Sequence, residues 1–270
     1  MPMHMAPRTS PSIDAILDRE GGPSLAALLS DDDLLHECAP PSNARLLAFL
    51  CERSTMIQLV EYITEPPPPD ADADRAYKHP YVASEVLSTD APPLGQAFFS
   101  PHAEVVARLL SVLEQPAPLP PVLAGYVCKV LVAQHKASPF LFGAFFESAG
   151  APDAPQLSAA ALVERLVGRL ESDSILQLLL ALCVGEPPAA AADGVGGAEE
   201  APPPLRPWLP ADLLAPRLLR ALDDEEEERA ANAARLLCAL LAPPAAVPAC
   251  FGRAACEALL HSCRGGRLGR

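Results

Sequence analysis

The residues able to do chemistry are few, and their spacing argues against a reaction centre. Cys250, Cys256, His261 and Cys263 come nearest to a metal-binding set. Structural zinc sites space paired cysteines two to four residues apart, whereas five, four and one residues intervene here. On a helix, Cys256 would instead share an apolar face with Leu259 and Leu260. His36, Glu37 and Cys38 are consecutive, and consecutive helical side chains diverge, so the three cannot chelate together. A cysteine-dependent phosphatase needs Cys, five residues, then Arg around its phosphate, but Arg264 follows Cys263 directly. Neither GxxxxGK[ST] nor HExxH occurs, and Gly194, Gly196 and Gly197 fall in a low-complexity stretch rather than after a strand. His79 precedes Pro80 and is expected to be a capping or core-edge histidine rather than a base. The acid run Asp223–Glu228 reads as a solvated turn leading into a helix N-terminus. No catalytic residue, metal ligand or cofactor site is expected, so the chain is read as a binding protein and not an enzyme.

What remains is scaffold. Half of the 270 residues are apolar and only 5% are aromatic. Leu and Ala lead the apolar set, and both favour helix over strand. Helical spacing recurs in Leu46–Leu50, Met56–Ile63, Val105–Leu113, Val122–Leu131, Leu162–Leu170, Ile175–Leu182, Leu213–Leu219 and Leu236–Leu241. The stretch from Ile175 to Leu182 is apolar almost throughout, as in a helix buried on most sides. Asp31–Asp33 precede Leu34 at a helix start, and Pro101, Pro121 and Pro210 sit where a missing N–H costs nothing. Pro116 and Pro118 fall between helical runs.

Residues 1–22 are expected to be a poorly ordered lead-in with a short amphipathic piece, Ile13–Leu17. Flexible loops are expected at 65–75, which holds the run Pro66–Pro69, and at 186–204, where EPPAAAADGVGGAEEAPPP is low-complexity. A helical-repeat domain is expected over 23–264, with 265–270 a disordered end. Many short helices without a strand pattern point to an all-α, armadillo- or HEAT-like helical-repeat solenoid, with a globular helical bundle as the alternative.

The formal net charge is −14. Such a surface repels nucleic-acid backbones and anionic membranes, so neither is expected as a partner. Eight cysteines scattered singly through mostly apolar runs fit buried free thiols in a reducing compartment. Met1–Arg8 holds no apolar core of the signal-peptide kind, and no window nears the ~20 apolar residues of a membrane span. The expected location is cytoplasmic, with the nucleus also open.

Five strings carry a family resemblance, in order along the chain: SLAALLSDDDLLHECAPPSNARLLAFL from Ser24, KHPYVASEVLSTD from Lys78, LAGYVCKVL from Leu123, SDSILQLLLALC from Ser172, and PWLPADLLAPRLLRAL from Pro207 followed by NAARLLC. Together they resemble the SAPS-domain family, the regulatory subunits associated with protein phosphatase 6 and its yeast counterpart. Departures are local. Ala39–Ser42 makes a longer, more proline-rich turn than the family pattern, and His79 stands where the family prefers Tyr. The family's His-Ser-Asn reads Ala-Ala-Asn232, and the sequence stops at RGGRLGR where family members carry a long acidic tail.

The resemblance implies a helical-repeat subunit that holds a serine/threonine phosphatase catalytic subunit and directs it to substrates, with ankyrin-repeat or other subunits as further partners. An adaptor for another protein cargo, such as one in trafficking, is the alternative. Asp31, Asp32, Glu37, Asn43, Lys78, Tyr81 and Glu85 are the polar or amphipathic members of the two best-matching strings. Each either contacts a partner or holds neighbouring repeats in register, with the structural role weighted higher. Asn232 is expected to cap a helix.

Overall fold

The structure is a computed structural model that describes residues 10–100, 103–147, 158–183 and 211–241. Among these the fold is all-α. The α-helices are α1 (Pro11–Leu17), α2 (Leu25–Ser30), α3 (Leu34–Cys38), α4 (Ala44–Leu50), α5 (Arg53–Thr64), α6 (His79–Leu87) and α7 (Pro92–Phe99), then α8 (Ala103–Leu110), α9 (Pro121–Ala137), α10 (Pro139–Glu147), α11 (Ala159–Val167), α12 (Asp173–Cys183), α13 (Ala211–Ala221) and α14 (Glu227–Leu241). A π-helical turn, Asp74–Lys78, runs directly into α6, and a 3₁₀ turn, Ser111–Glu114, extends α8. The stretch 23–264, expected as one repeat domain, is divided between two compact units. Met1–Gln115 with Pro120–Phe145 form the first; Pro116–Leu119 with Phe146–Arg270 form the second.

Local chemistry explains the helix starts. Ser24 accepts from the Ala27 amide and Ser158 from the Ala161 amide, each satisfying an amide that has no partner within its helix. α6, α7 and α9 carry Pro in their first turn, where its fixed φ suits the helix. Gly21 and Gly22, at φ +95° and +98°, turn the chain from α1 into α2 through a conformation that side chains with a Cβ resist.

In the first unit, helices three apart in sequence pack together: α1 on α4, α4 on α7, α3 on α6, α6 on α9 and α5 on α8. That register is the one a three-helix repeat produces. Helix α5 is the hub, touching α4, α6, α7, α8 and α9, and its Met56, Leu59, Val60 and Ile63 have no solvent exposure. In the second unit α13 packs on α11 and α14, and α12 packs on α14. Helix α12 buries Ile175, Leu176, Leu178, Leu179, Leu182 and Cys183, matching the expectation from its sequence.

Two expectations require correction. The lead-in is not loose from residue 10 onward: α1 inserts Ile13 fully into the core, and Arg45 of α4 pairs with both Asp14 and Asp18. Asn232 caps nothing, because α14 begins five residues earlier. Its side chain is buried and donates to the Leu170 carbonyl at 2.8 Å. In the segment 65–75, the chain is non-helical from Glu65 to Asp72, Ala73 is helical, and Asp74 and Arg75 already belong to the π-helical turn. The loop 186–204, the end 265–270, Pro101, Pro210 and the set Cys250, Cys256, His261 and Cys263 lie outside the described residues.

Candidate protein-interaction surface

The two best-matching strings meet in space. The carbonyl end of α2 and the acidic loop after it lie against the π-helical turn and the start of α6. Lys78 ties them, donating to the Ser30 carbonyl at 2.6 Å and to Asp32 at 2.8 Å. A cation suits this place because a helix C-terminus presents unpaired carbonyls and negative potential. The Lys78 bond holds the Asp32 carboxyl below its usual range, and Asp32 in turn raises the Lys78 ammonium. Asp31 accepts from the Asp33 amide at 2.9 Å in a local turn, while Asp32 is 92% exposed.

Beneath this pair, Ser30 Oγ donates to Asp74 at 3.2 Å and lies 2.8 Å from His79 Nε2. With the hydroxyl proton directed at the carboxylate, the imidazole is assigned the Nε2–H tautomer and donates to Ser30. His79 Nδ1 is then a buried lone pair without a partner. The ring is 6% exposed and packs edge-on to Tyr62, whose face carries the Arg75 guanidinium at 4.0 Å. His79 is thus the core-edge histidine expected, and burial lowers its pKa below the usual 6.5.

Glu37 and Asn43 require a correction as contact residues: both are buried, at 7% and 5% exposure. Asn43 Oδ1 accepts from the Arg45 and Leu46 amides at 3.1 and 3.2 Å, making it the N-cap of α4. Its Nδ2 donates to Glu37 at 3.0 Å, and the other Glu37 oxygen accepts from the Ser10 amide at 2.9 Å. The two fasten the α3–α4 turn and the start of α1, away from solvent.

On the outer side, Tyr77, Tyr81 and Glu85 follow one another at four-residue spacing along the π-turn and α6, so they share a face. Tyr77 is 77% exposed and Tyr81 52%. Glu85 accepts from Lys129 of α9, and the Glu85 carboxylate raises the Tyr81 pKa. Lys129 Nζ stands 5.5 Å from the Tyr81 ring centre. Tyr77 and Lys129 were not singled out from sequence. The four-residue stripe Tyr77–Tyr81–Glu85 could have flagged Tyr77, but nothing local could reveal that α9 brings Lys129 to it.

Asp32 and Lys78 therefore join the two strings, Tyr81 and Glu85 face Lys129 of α9, and Glu37 and Asn43 hold the α3–α4 turn. No cluster of His, Cys, Asp and Glu able to hold a metal occurs among the described residues. Nor is any described helix long and apolar enough to cross a membrane.

The chain is 34% identical over 123 residues to serine/threonine-protein phosphatase 6 regulatory subunit 2 of Mus musculus, covering 46% of this chain and 13% of that protein. It is 30% identical over 182 residues to regulatory subunit 3-A of Xenopus laevis, covering 67% of this chain and 20% of the relative. Extragenic suppressor of kinetochore protein 1 of Schizosaccharomyces pombe is 34% identical over 131 residues, which is 46% of this chain and 15% of that protein. The chain thus spans a fifth or less of the length of these relatives. No protein-family model matches the chain, and no solved structure does. With five family strings in order, an all-α fold and relatives several of which are named phosphatase 6 regulatory subunits, this chain belongs to the SAPS-domain family.

Proposed function

We propose that the chain is a non-catalytic regulatory subunit that binds a type-2A-like serine/threonine phosphatase catalytic subunit and directs it to substrates. One observation carries this reading. The two strings that most resemble the family are tied together through Lys78, Ser30 and Asp32, and leave Asp32 and Tyr81 exposed, with Tyr77 exposed beside them in sequence. Side chains that only hold repeats in register need no such exposure. A cytoplasmic or nuclear site of action accompanies the reading, since the buried thiols Cys38, Cys128 and Cys183 suit a reducing compartment.

Affinity purification of the tagged chain from cell extract, followed by mass spectrometry, tests partner identity without presupposing a mechanism. The expected result is retrieval of a phosphatase catalytic subunit of the type-2A class. Reversing charge at Asp31 and Asp32 then separates contact from capping. Under the contact role, retrieval drops while the melting temperature holds; a lower melting temperature with retrieval intact makes them turn-forming residues only.

A further inference from the structure

We propose that Pro66–Pro69 is a docking motif for a partner domain that reads proline-rich segments through a groove lined with aromatic rings. The inference does not depend on which catalytic partner the chain holds.

Four consecutive prolines lie between α5 and the π-helical turn. A proline fixes its own φ at about −65°, and the residue before a proline is pushed toward extended ψ. In Glu65–Pro68 every residue precedes a proline, so the run is steered into a polyproline II helix without help from packing. The structure agrees. Glu65 has φ −113° and ψ 140°, and Pro66–Pro68 lie outside any helix. The run ends where the Pro68 carbonyl accepts from the Ala71 amide at 3.0 Å, a turn with Pro69 at the inner position that favours proline.

Both ends of the segment are tied down. The Glu65 amide donates to the Glu61 carbonyl at 3.0 Å, and the Glu65 carboxylate pairs with Arg108 at 2.6 Å. Gln115 donates to the Thr64 carbonyl at 3.2 Å, and Asp72 accepts from the Arg75 amide at 2.7 Å. Between these anchors Pro66, Pro67, Pro68 and Pro69 are all exposed. The anchors hold the connection, and the four rings add nothing to the core.

What the rings offer is a ligand. Polyproline II has three residues per turn, so Pro66 and Pro69 lie on one edge, about 9 Å apart. That PxxP spacing fits the aromatic-lined grooves of SH3, WW and EVH1 domains. Proline has no N–H, so the backbone presents only carbonyl acceptors, and a groove that brings donors as well as rings complements it. Docking costs little ordering, because the shape is set before contact.

The test is isothermal titration calorimetry of the purified full chain with three isolated domains: one SH3, one WW and one EVH1. The expected result is saturable binding by at least one of them, displaced by excess synthetic decaproline. The same domain with its groove tryptophan replaced by alanine should not bind. The double change Pro66→Ala, Pro69→Ala should weaken binding about tenfold or more while the melting temperature holds. If that variant melts early, the decaproline competition, which uses the unaltered chain, decides.

Three results overturn the proposal: no saturable binding by any of the three domains, binding that survives decaproline or loss of the groove tryptophan, or undiminished binding by the double variant. A lower melting temperature in the double variant with no domain bound also overturns it, and makes the run a stiffener of the chain after α5. Failure of phosphatase retrieval would count against the preceding reading and leave this one standing.

Discussion

At the scale of single residues, the interior polar groups are tied off in pairs, and removing one partner strands the other. Asn43→Ala should remove the α4 cap and leave Glu37 short of a donor. A loss of about 1–3 kcal/mol is expected, read as a lower denaturant midpoint. Asn43→Asp keeps the cap acceptor but sets two carboxylates against each other, so it should destabilise more at neutral pH and recover in acid.

His79 provides a second residue-level test. Burial disfavours its charged form in the folded chain, while Asp74 and Asp72 pull the other way and Arg75 and Lys78 add to the disfavour. The unfolded state therefore takes up the proton first. Stability from this site is present above about pH 6.5 and is lost as pH falls below it, toward the lower folded pKa. Melting curves between about pH 7.5 and 5.5 should show this slope in the parent and a flatter one in His79→Gln.

At the scale of elements, the junctions between helices hold the sensitive positions. A Cβ on Gly95 of α7 would sit 2.7 Å from Ser138 Oγ and 3.4 Å from the Gln134 amide oxygen. The Ser138 hydroxyl can rotate away and alanine is the better helix former, so Gly95→Ala should change stability little. Gly95→Leu has nowhere to go and should cost about 1–3 kcal/mol or more by thermal melting.

In the second unit Arg229 gathers Glu171, Asp224 and Glu226 at 3.2, 2.9 and 2.8 Å, joining the turn before α14 to the one before α12. The Glu171 side chain is 4% exposed, so Arg229→Met should leave this buried carboxylate only the longer Arg169 contact at 3.9 Å and cost about 2–3 kcal/mol in chemical denaturation. The acid run at 223–228 is indeed a turn feeding a helix start, but sequence alone could not supply its arginine clamp.

Legibility also differed by element. α5, α9 and α12 could be read from their 3.6-residue spacing. α1, α7 and α10 were harder, because proline opens each and α10 reads PFLFGAFFE, apolar without a clear stripe. Their amphipathic faces are completed by packing, as where Phe99 meets Phe142 and Phe145. Pro216 inside α13 breaks the usual rule outright.

At the scale of the whole molecule, the thiols report on packing. Burial pushes the Cys38 and Cys128 thiols up to about 12, so neither forms a thiolate near neutral pH. Cys238 is exposed and Cys51 intermediate. Among the described cysteines, alkylation under native conditions, mapped by mass spectrometry, should mark Cys238 first and Cys51 slowly. Cys38, Cys128 and Cys183 should react only once denaturant is added. Early labelling of Cys38 or Cys128 would mean that the cores around them open readily.

Leucine and alanine at helical spacing, proline at helix starts and five ordered strings were sufficient to give an all-α fold and its family, because periodicity and caps are properties of neighbours in the chain. The surface could not be resolved that way. Seven polar residues looked alike as letters, yet Glu37 and Asn43 proved to be buried supports, while Asp32 and Tyr81 face solvent beside an unanticipated Tyr77. Whether a polar side chain is a strut or a contact depends on what lies across from it. Here those opposing groups come from dozens of positions away, as Lys78 does for Ser30 and Lys129 for Glu85, and only packing brings them together.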